Sequence, residues 1–301
     1  MKWFRKIIRS IASTHWAIGF VKGGLPSIMD GVNSEESSVQ VDWVKMPKDR
    51  WFADPFVLDV TETEIQLLVE DMPYDVEDYK GRISLLHINR STMEIASRKV
   101  LLDLPTHLSF PAIWRKDGHI YVYPESAHSG RLDLYEYHPE TETLSFVQTI
   151  CDDVVWDSYI TEAFGEPLLF TAAHNDEQLD IYRWDNDNER FVPFTVIKSD
   201  TPNSRIGGAV FGYNGEYYYP AQDCSKNYGG AIDIKRIEYV NGKFTLSFFQ
   251  HIVSPHPKYQ LGLHTLNVYK GTVVIDVRGY RFGIISQIMF KIANIFLKWK
   301  N

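Results

Sequence analysis

The stretch Trp51-Phe52-Ala53-Asp54-Pro55-Phe56-Val57-Leu58 begins the repeating part of this chain. Pro55 has a fixed φ and disfavours helical backbone at the residue before it, so the sequence predicts an extended Asp54. The apolar run that follows predicts a strand with the Asp54 carboxylate at its entrance. A turn aspartate before an edge proline would look the same locally. The interpretation therefore depends on what the rest of the chain repeats.

Short strand patterns continue from Asp54 to about Val277 with almost no helical periodicity. They fall into units of four strands that recur roughly every 50 residues. The predicted strands are 55–60, 64–70, 82–88 and 94–101; then 111–114, 119–123, 131–137 and 144–150; then 158–163, 167–172, 179–184 and 191–197; and then 208–212, 216–220, 231–239 and 243–251. A fifth unit has strands at 264–269 and 272–277 and lacks its outer pair.

Units of this kind are typical of propeller blades, and the sequence predicts an all-β, five-bladed β-propeller. Strands at 16–20 and 39–44, separated by a predicted loop over 23–38, would supply the missing outer pair of the fifth blade. The predicted organisation is an amphipathic helix over 1–14, the propeller over 15–281 and a second amphipathic helix over 282–301.

Both terminal segments are basic and have an apolar face at helical spacing. Residues 1–22 and 277–301 contain lysines and arginines but no acidic residue, although the whole chain has a net charge of −8. Two interpretations are open: each helix packs on the propeller as a cap, or both lie on an anionic membrane leaflet.

Several classes of protein are disfavoured by composition. The net charge of −8 argues against a nucleic-acid partner. Two cysteines provide neither a disulfide framework nor a zinc-ligand spacing, and the sequence indicates no metal site and no cofactor. With neither a signal-peptide pattern nor an 18-residue apolar stretch, we expect a cytoplasmic protein, peripheral at the inner face of the membrane through its terminal helices.

The inner strand of each blade lines the channel of a propeller, so polar residues near the blade entrances should converge. Carboxylates accept hydrogen bonds from sugar hydroxyls, aromatic rings cover the C–H face of a sugar, and arginine pairs with phosphates or sugar acids. Two carboxylates across the channel could also act as acid and base. The converging set is predicted to be Asp54, His107, Ser109, Glu125, Asp157, Glu162, Arg205, Gln222, Asp223, Tyr228 and His264.

The motifs around these residues resemble a known family. They are Phe52-Ala53-Asp54-Pro55-Phe56, His107-Leu108-Ser109-Phe110-Pro111, Tyr123-Pro124-Glu125-Ser126, Gly207-Gly208, Ala221-Gln222-Asp223-Cys224 and Tyr228-Gly229. In order and spacing they resemble the N-terminal domain of glucosamine inositolphosphorylceramide transferases, which is similar to the propeller of family 43 and family 32 glycoside hydrolases. The resemblance implies that Asp54 is a general base and that Asp157, or alternatively Glu162, is the acid.

Two functions follow as hypotheses. The first is a carbohydrate-active protein, glycosidase-like or associated with glycosyl transfer, that acts on a polysaccharide or lipid-linked sugar during surface polysaccharide or glycolipid assembly. The second is a non-catalytic glycan-binding or scaffold module at the membrane. The second is favoured by Ala112, which follows Phe110-Pro111 where the hydrolase resemblance implies a carboxylate.

Overall fold

A computed structural model of the chain describes residues 13–30, 39–74, 80–172, 177–199 and 201–289. Twenty strands form five antiparallel sheets of four strands each, which confirms the five-bladed β-propeller. The predicted first helix lies almost wholly outside the described residues, and Thr14 already belongs to a strand. Of the predicted last helix, residues 284–289 are helical and 290–301 lie outside the described part.

The strands follow the predicted units closely. They are β1 (Thr14–Val21), β2 (Val41–Trp43), β3 (Arg50–Val60), β4 (Glu64–Pro73), β5 (Arg82–Asn89), β6 (Glu94–Leu102), β7 (Ser109–Lys116), β8 (His119–Glu125), β9 (Leu132–His138), β10 (Thr143–Cys151), β11 (Trp156–Thr161), β12 (Leu168–Ala172), β13 (Gln178–Asp185), β14 (Arg190–Lys198), β15 (Phe211–Tyr213), β16 (Glu216–Asp223), β17 (Ala231–Val240), β18 (Lys243–Ile252), β19 (Gly262–Tyr269) and β20 (Thr272–Tyr280). Blades 1 to 4 are β3–β6, β7–β10, β11–β14 and β15–β18.

The fifth blade joins the two ends of the chain. Its strand order is β19-β20-β1-β2, so the N-terminal strands supply the outer pair, as predicted. β1 pairs with β20 along seven residues, from Thr14 opposite Tyr280 to Phe20 opposite Val274. This pairing closes the ring and covers strand edges that would otherwise be open to aggregation.

The loop predicted over 23–38 is wrong in part, because α1 (Gly24–Met29) is helical. Leu25, Ile28 and Met29 share one face of this turn and are buried in the apolar cluster of blade 5. The apolar spacing i, i+3, i+4 was present in the sequence, but one and a half turns are too short to stand out from a loop.

The inner strand of blade 4 is shorter than predicted and starts at Phe211 rather than at 208. Gly208 has φ 152, and a Cβ placed on it would lie 2.1 Å from the backbone oxygen of Leu266 in blade 5. The chain passes too close to the next blade here for a regular strand.

The inner strand has one extra residue relative to its partner, a one-residue register shift, near its start in four blades. The shifts lie between Ala53 and Phe56, between Ser109 and Ala112, between Trp156 and Tyr159, and between Leu263 and Leu266. In the first three blades the bulged residue has left-handed backbone, with φ of 51° at Asp54, 42° at Phe110 and 45° at Asp157. The extended Asp54 predicted from Pro55 is therefore wrong. Bulges redirect side chains and are common beside functional sites.

Each of these bulged residues donates its backbone N–H to a buried carboxylate of the preceding blade. The Asp54 N–H binds Asp276 Oδ2 at 2.9 Å, the Phe110 N–H binds Asp54 Oδ2 at 3.0 Å, and the Asp157 N–H binds Glu125 Oε2 at 2.9 Å. Asp276 also accepts the Thr265 N–H at 2.7 Å within blade 5. Each hydrogen bond satisfies a buried N–H group and a carboxyl oxygen together, so the three bonds offset the cost of the left-handed backbone.

We predict that Asp276→Asn lowers the free energy of unfolding by about 2–4 kcal/mol, as expected when a buried charged hydrogen-bond network is broken. Both Asp276 oxygens accept backbone N–H groups, and an amide would point a donor at one of them. The measurement is urea unfolding of the full chain.

The matched control is Asp59→Asn, which removes an exposed ion pair with Lys270 whose side chains are 46% and 56% exposed. Exposed pairs contribute about 0–1 kcal/mol. Equal destabilisation by the two variants would contradict the role assigned to Asp276.

Candidate functional site

A cavity of about 310 Å³ opens where the inner strands of all five blades begin. The cavity brings together eight of the eleven residues that the sequence singled out. It is lined by Thr14, Trp16, Trp51, Asp54, Glu70, Met72, His107, Ser109, Glu125, Asp157, Arg205, Tyr228, His264 and Arg278.

Three of the predicted residues do not line the cavity. Gln222 is fully buried behind it and donates to Asp157 Oδ2 at 2.8 Å. Asp223 lies beside it and accepts the Ser225 N–H at 2.9 Å. Glu162 is exposed and accepts from the Trp114 ring nitrogen at 3.0 Å. Glu162 lies past the end of β11, five residues beyond Asp157, which at strand spacing is about 16 Å farther along the blade.

Asp54 and His264 meet at the centre of the cavity. His264 Nδ1 lies 3.0 Å from Asp54 Oδ1 and 3.4 Å from Asp276 Oδ2, and its Nε2 lies 2.9 Å from the Tyr228 hydroxyl. The hydrogen-bond direction of Nδ1 favours Asp276, so the buried Asp54 Oδ1 has a charged neighbour but no hydrogen-bond partner in the described part of the chain.

Burial raises the pKa of Asp54. Burial alone would lower the pKa of His264, but Tyr228, Asp54 and Asp276 outweigh it and raise that pKa well above the usual range. The side chains of Asp54, His264 and Asp276 have ligand atoms within 4.8 Å of one another, close enough to surround a cation. Such binding would require His264 to lose its proton.

Asp157 is held as an anion. Arg205 Nε and Gln222 Nε2 both donate to its Oδ2 atom. Burial would raise its pKa, but the charge of Arg205 dominates and keeps the pKa below the usual value. A general acid must hold a proton near the working pH, so this environment does not favour the acid role that the resemblance implies for Asp157.

Two glutamates are better placed to hold a proton. Burial, together with the charge of Asp157, raises the pKa of Glu125 well above its usual value. Burial likewise raises the pKa of Glu70 to about 7. His107 Nε2 lies 3.2 Å from Glu70 Oε1, and its Nδ1 accepts the Gly81 N–H at 2.9 Å, which leaves the proton on the nitrogen facing Glu70.

The backbone at Gly81 lies close to both His107 and Glu70, which allows its N–H to fix the His107 ring that faces Glu70. A Cβ on Gly81 would lie 2.2 Å from the Leu108 oxygen and 2.9 Å from Glu70 Oε1. Any larger residue would therefore displace the Glu70 carboxylate or the neighbouring backbone.

Sequence reasoning noted Glu70 at the end of the second strand of the first unit but gave it no role in the site, and it did not single out Asp276. Glu70 pairs with Ala53 and Glu125 pairs with Ser109, so each glutamate lies opposite the residue that precedes a bulge. Aligning the second strands of the first two units would have revealed Glu70. Asp276 had a weaker signal, a single acid inside the apolar strand β20.

The fold and the cavity define a propeller of the kind found in sugar-processing enzymes. A β-xylosidase/α-arabinofuranosidase from a compost metagenome, solved with xylotriose, matches with a TM-score of 0.53 and 15% identity over 76% of this chain and 85% of that one. An exo-β-1,3-galactanase from Phanerochaete chrysosporium, solved with β-1,3-galactotriose, has a TM-score of 0.53 and 12% identity over 86% of this chain and 64% of that one. At these identities the likeness shows the fold.

The chain belongs to the family described as glucosamine inositolphosphorylceramide transferase 1, N-terminal, whose profile matches residues 40–253. It is 30% identical over 154 residues to the transferase of this name from Arabidopsis thaliana, covering 47% of this chain and 20% of that protein. The enzyme from Oryza sativa subsp. japonica is 26% identical over 150 residues, covering 46% and 20%. The match thus spans about a fifth of the length of these relatives. The predicted resemblance is confirmed.

We predict that one glutamate carboxyl titrates near pH 7 and that Glu70→Gln removes this titration. Because burial raises the pKa of Glu70 to about 7, the group is neutral below that pH and ionised above it. The measurement is carbon-13 NMR of protein with labelled glutamate.

Glu64→Gln is the control, because Glu64 belongs to the same strand but is partly exposed and has a lowered pKa. The assignment fails if the titration near pH 7 persists in Glu70→Gln or disappears in the control.

Proposed function

We propose that the central cavity binds a sugar of a surface polysaccharide or glycolipid, and that the protein acts on this sugar during glycan assembly. The observation that carries the proposal is the convergence of buried carboxylates, one arginine and several aromatic rings from five blades on one cavity. Membership of a family named for a glycolipid transferase, and fold neighbours solved with xylotriose and galactotriose, support it.

The cavity favours a neutral or amino sugar over an acidic one. Arg205, which the sequence suggested for an anionic group, already pairs with Asp157. The cavity is instead lined by the carboxyl groups of Asp54, Glu70 and Glu125, whose oxygens can accept from a hydroxyl or an ammonium group. A volume of about 310 Å³ is near the small end for ligand sites, which suits a terminal sugar residue.

In a catalytic role, Asp54 would be the base and Glu70 or Glu125 the acid. Asp54 would take a proton from water, or from an acceptor hydroxyl, as that oxygen attacks the anomeric carbon. The glutamate would give its proton to the leaving oxygen as the glycosidic bond breaks. Water as the attacking group gives hydrolysis, and an acceptor hydroxyl gives transfer.

The second candidate function is a non-catalytic glycan-binding module. Ala112 is fully buried where the hydrolase resemblance implies a carboxylate, and Asp157 is held as an anion by Arg205. Both features remove acid groups that a standard hydrolase site would use, and neither impairs sugar binding.

We further propose that the terminal segments hold the protein at the inner face of the cytoplasmic membrane. The Arg281 N–H donates to the Ser13 oxygen at 3.1 Å, so the described residues next to the two terminal segments lie side by side. Thr14 and Arg278, both near this point, line the cavity. Within the described residues, none of the helices has the length and hydropathy needed to cross a bilayer.

We predict that Asp54→Asn and Glu70→Gln lower turnover of glycan pools at least about 100-fold, while sugar binding by calorimetry changes much less. Both substitutions preserve shape and remove the proton-transfer group; in Asp54→Asn the amide oxygen can still accept the Phe110 N–H, while the charge facing His264 is lost. Glu162→Gln is the control and should leave turnover and binding unchanged, because Glu162 lies outside the cavity.

Binding by wild-type protein without any turnover would favour the glycan-binding module. Wild-type protein that binds no member of a panel of neutral, amino and acidic sugars would overturn both functions.

A further inference from the structure

A second cavity of about 540 Å³, here named the outer groove, lies where blade 5 meets blade 1. Its main lining residues are His15, Trp43, Lys48, Tyr74, Tyr259 and Arg281. Strand β1 separates it from the central cavity, because Thr14 and Trp16 line the central cavity while His15 and Ala17 line the outer groove.

The outer groove has two cations without a carboxylate partner in the described part of the chain. Lys48 is exposed, and the Arg281 guanidinium lies 3.4 Å above the centre of the Tyr74 ring and donates to the Lys48 oxygen at 2.7 Å. Asp49, the adjacent acid, is occupied by Arg50, with contacts of 3.0 and 2.8 Å. In an acidic protein this leaves a local positive site suited to an anion.

The remainder of the outer groove is aromatic and continues into an exposed apolar surface. The Trp43 and Tyr259 rings both contact the His256 ring, with centroids 4.6 and 4.3 Å apart. Directly after Arg281, the exposed fractions are 49% for Phe282, 74% for Ile284, 63% for Ile285 and 52% for Ile288. Aromatic rings, cations and exposed aliphatic side chains in this order are typical of a surface that meets a bilayer interface.

The charge of the adjoining chain favours a lipid surface over a protein partner. Residues 1–12 contain Lys2, Arg5, Lys6 and Arg9 with no acid, and residues 290–301 contain Lys291, Lys298 and Lys300 with no acid. Among the described residues, Ser13 immediately precedes β1 and is hydrogen-bonded to Arg281, which lines the outer groove. Each lysine or arginine near an anionic leaflet contributes about 1 kcal/mol to binding.

We propose that the outer groove binds the phosphate of an anionic phospholipid headgroup in a bilayer. Lys48 and Arg281 contact the phosphate, the aromatic rings lie at headgroup depth, and Ile284, Ile285 and Ile288 enter the acyl boundary. The inference rests on the proposed membrane-proximal function.

The test is sedimentation of the full chain with vesicles of phosphatidylcholine, with or without phosphatidylglycerol. We expect binding to the anionic vesicles, weakened at least about 5-fold by Lys48→Glu and about 10-fold by Ile285→Asp. The matched controls are Lys243→Glu and Phe248→Asp on β18 in blade 4, where Phe248 is 64% exposed. The controls should bind as wild type does.

Equal loss in test and control variants, or no binding of wild-type protein to anionic vesicles, would overturn the docking site. Soluble glycerophosphate that binds as tightly as the vesicles would also overturn it, because the ligand would then be a free phosphate. Sugar binding is measured on the same variants and should not change. Vesicle binding without sugar binding would support the docking site and contradict the proposed sugar function.

Discussion

The fold and its central cavity depend on one repeated hydrogen bond, from a left-handed residue at the start of a blade to a buried carboxylate of the blade before it. Asp276, Asp54 and Glu125 are the acceptors, and the bulges at Asp54, Phe110 and Asp157 provide the donors. A bulge alone would leave a buried N–H unsatisfied, and a buried carboxylate alone would be costly. When the bulged N–H of one blade binds the carboxylate of the blade before it, each group satisfies the other and both costs are offset.

Burial of these carboxyl groups, together with Arg205, sets the protonation chemistry of the cavity. Burial raises the pKa of Asp54, Glu70 and Glu125, whereas Arg205 keeps Asp157 ionised. Carboxyl groups with separated pKa values are what acid–base chemistry on one sugar requires. Asp54 and Glu125 therefore have both roles: each accepts a hydrogen bond that joins two blades, and each lines the cavity.

Much of the architecture could be predicted from the sequence, because alternation of apolar residues and turn residues repeats in units of four strands. Ring closure by β1 and β2 could also be predicted, because the fifth unit lacked two strands and the N-terminal part of the chain contained two strands outside any other unit. The convergence of polar residues on the propeller axis could be predicted from the order of the units alone, because the inner strand of every blade lines the same channel. These features depend only on the local pattern of apolar and turn residues and on the number of strands in each unit.

The errors have a common cause in tertiary contacts. The preference of a residue before proline suggested an extended Asp54, but a hydrogen bond to Asp276 from a distant part of the chain stabilises left-handed backbone there. Glu162 was grouped with Asp157 by proximity in sequence, although strand geometry carries it out of the cavity. The position of Glu70 at the end of a second strand was visible in the sequence, but its place opposite Ala53, beside the bulge, required the pairing register between strands.

The most direct measurement of the central claim is a nitrogen-15 NMR titration of the full chain with a panel of neutral and amino sugars. If the ligand lies among the carboxylates that join the blades, the amides of Phe110 and Asp157 shift and saturate together, while those of Glu162 and Lys243 stay unchanged. Saturable shifts confined to residues outside the central cavity would contradict the account.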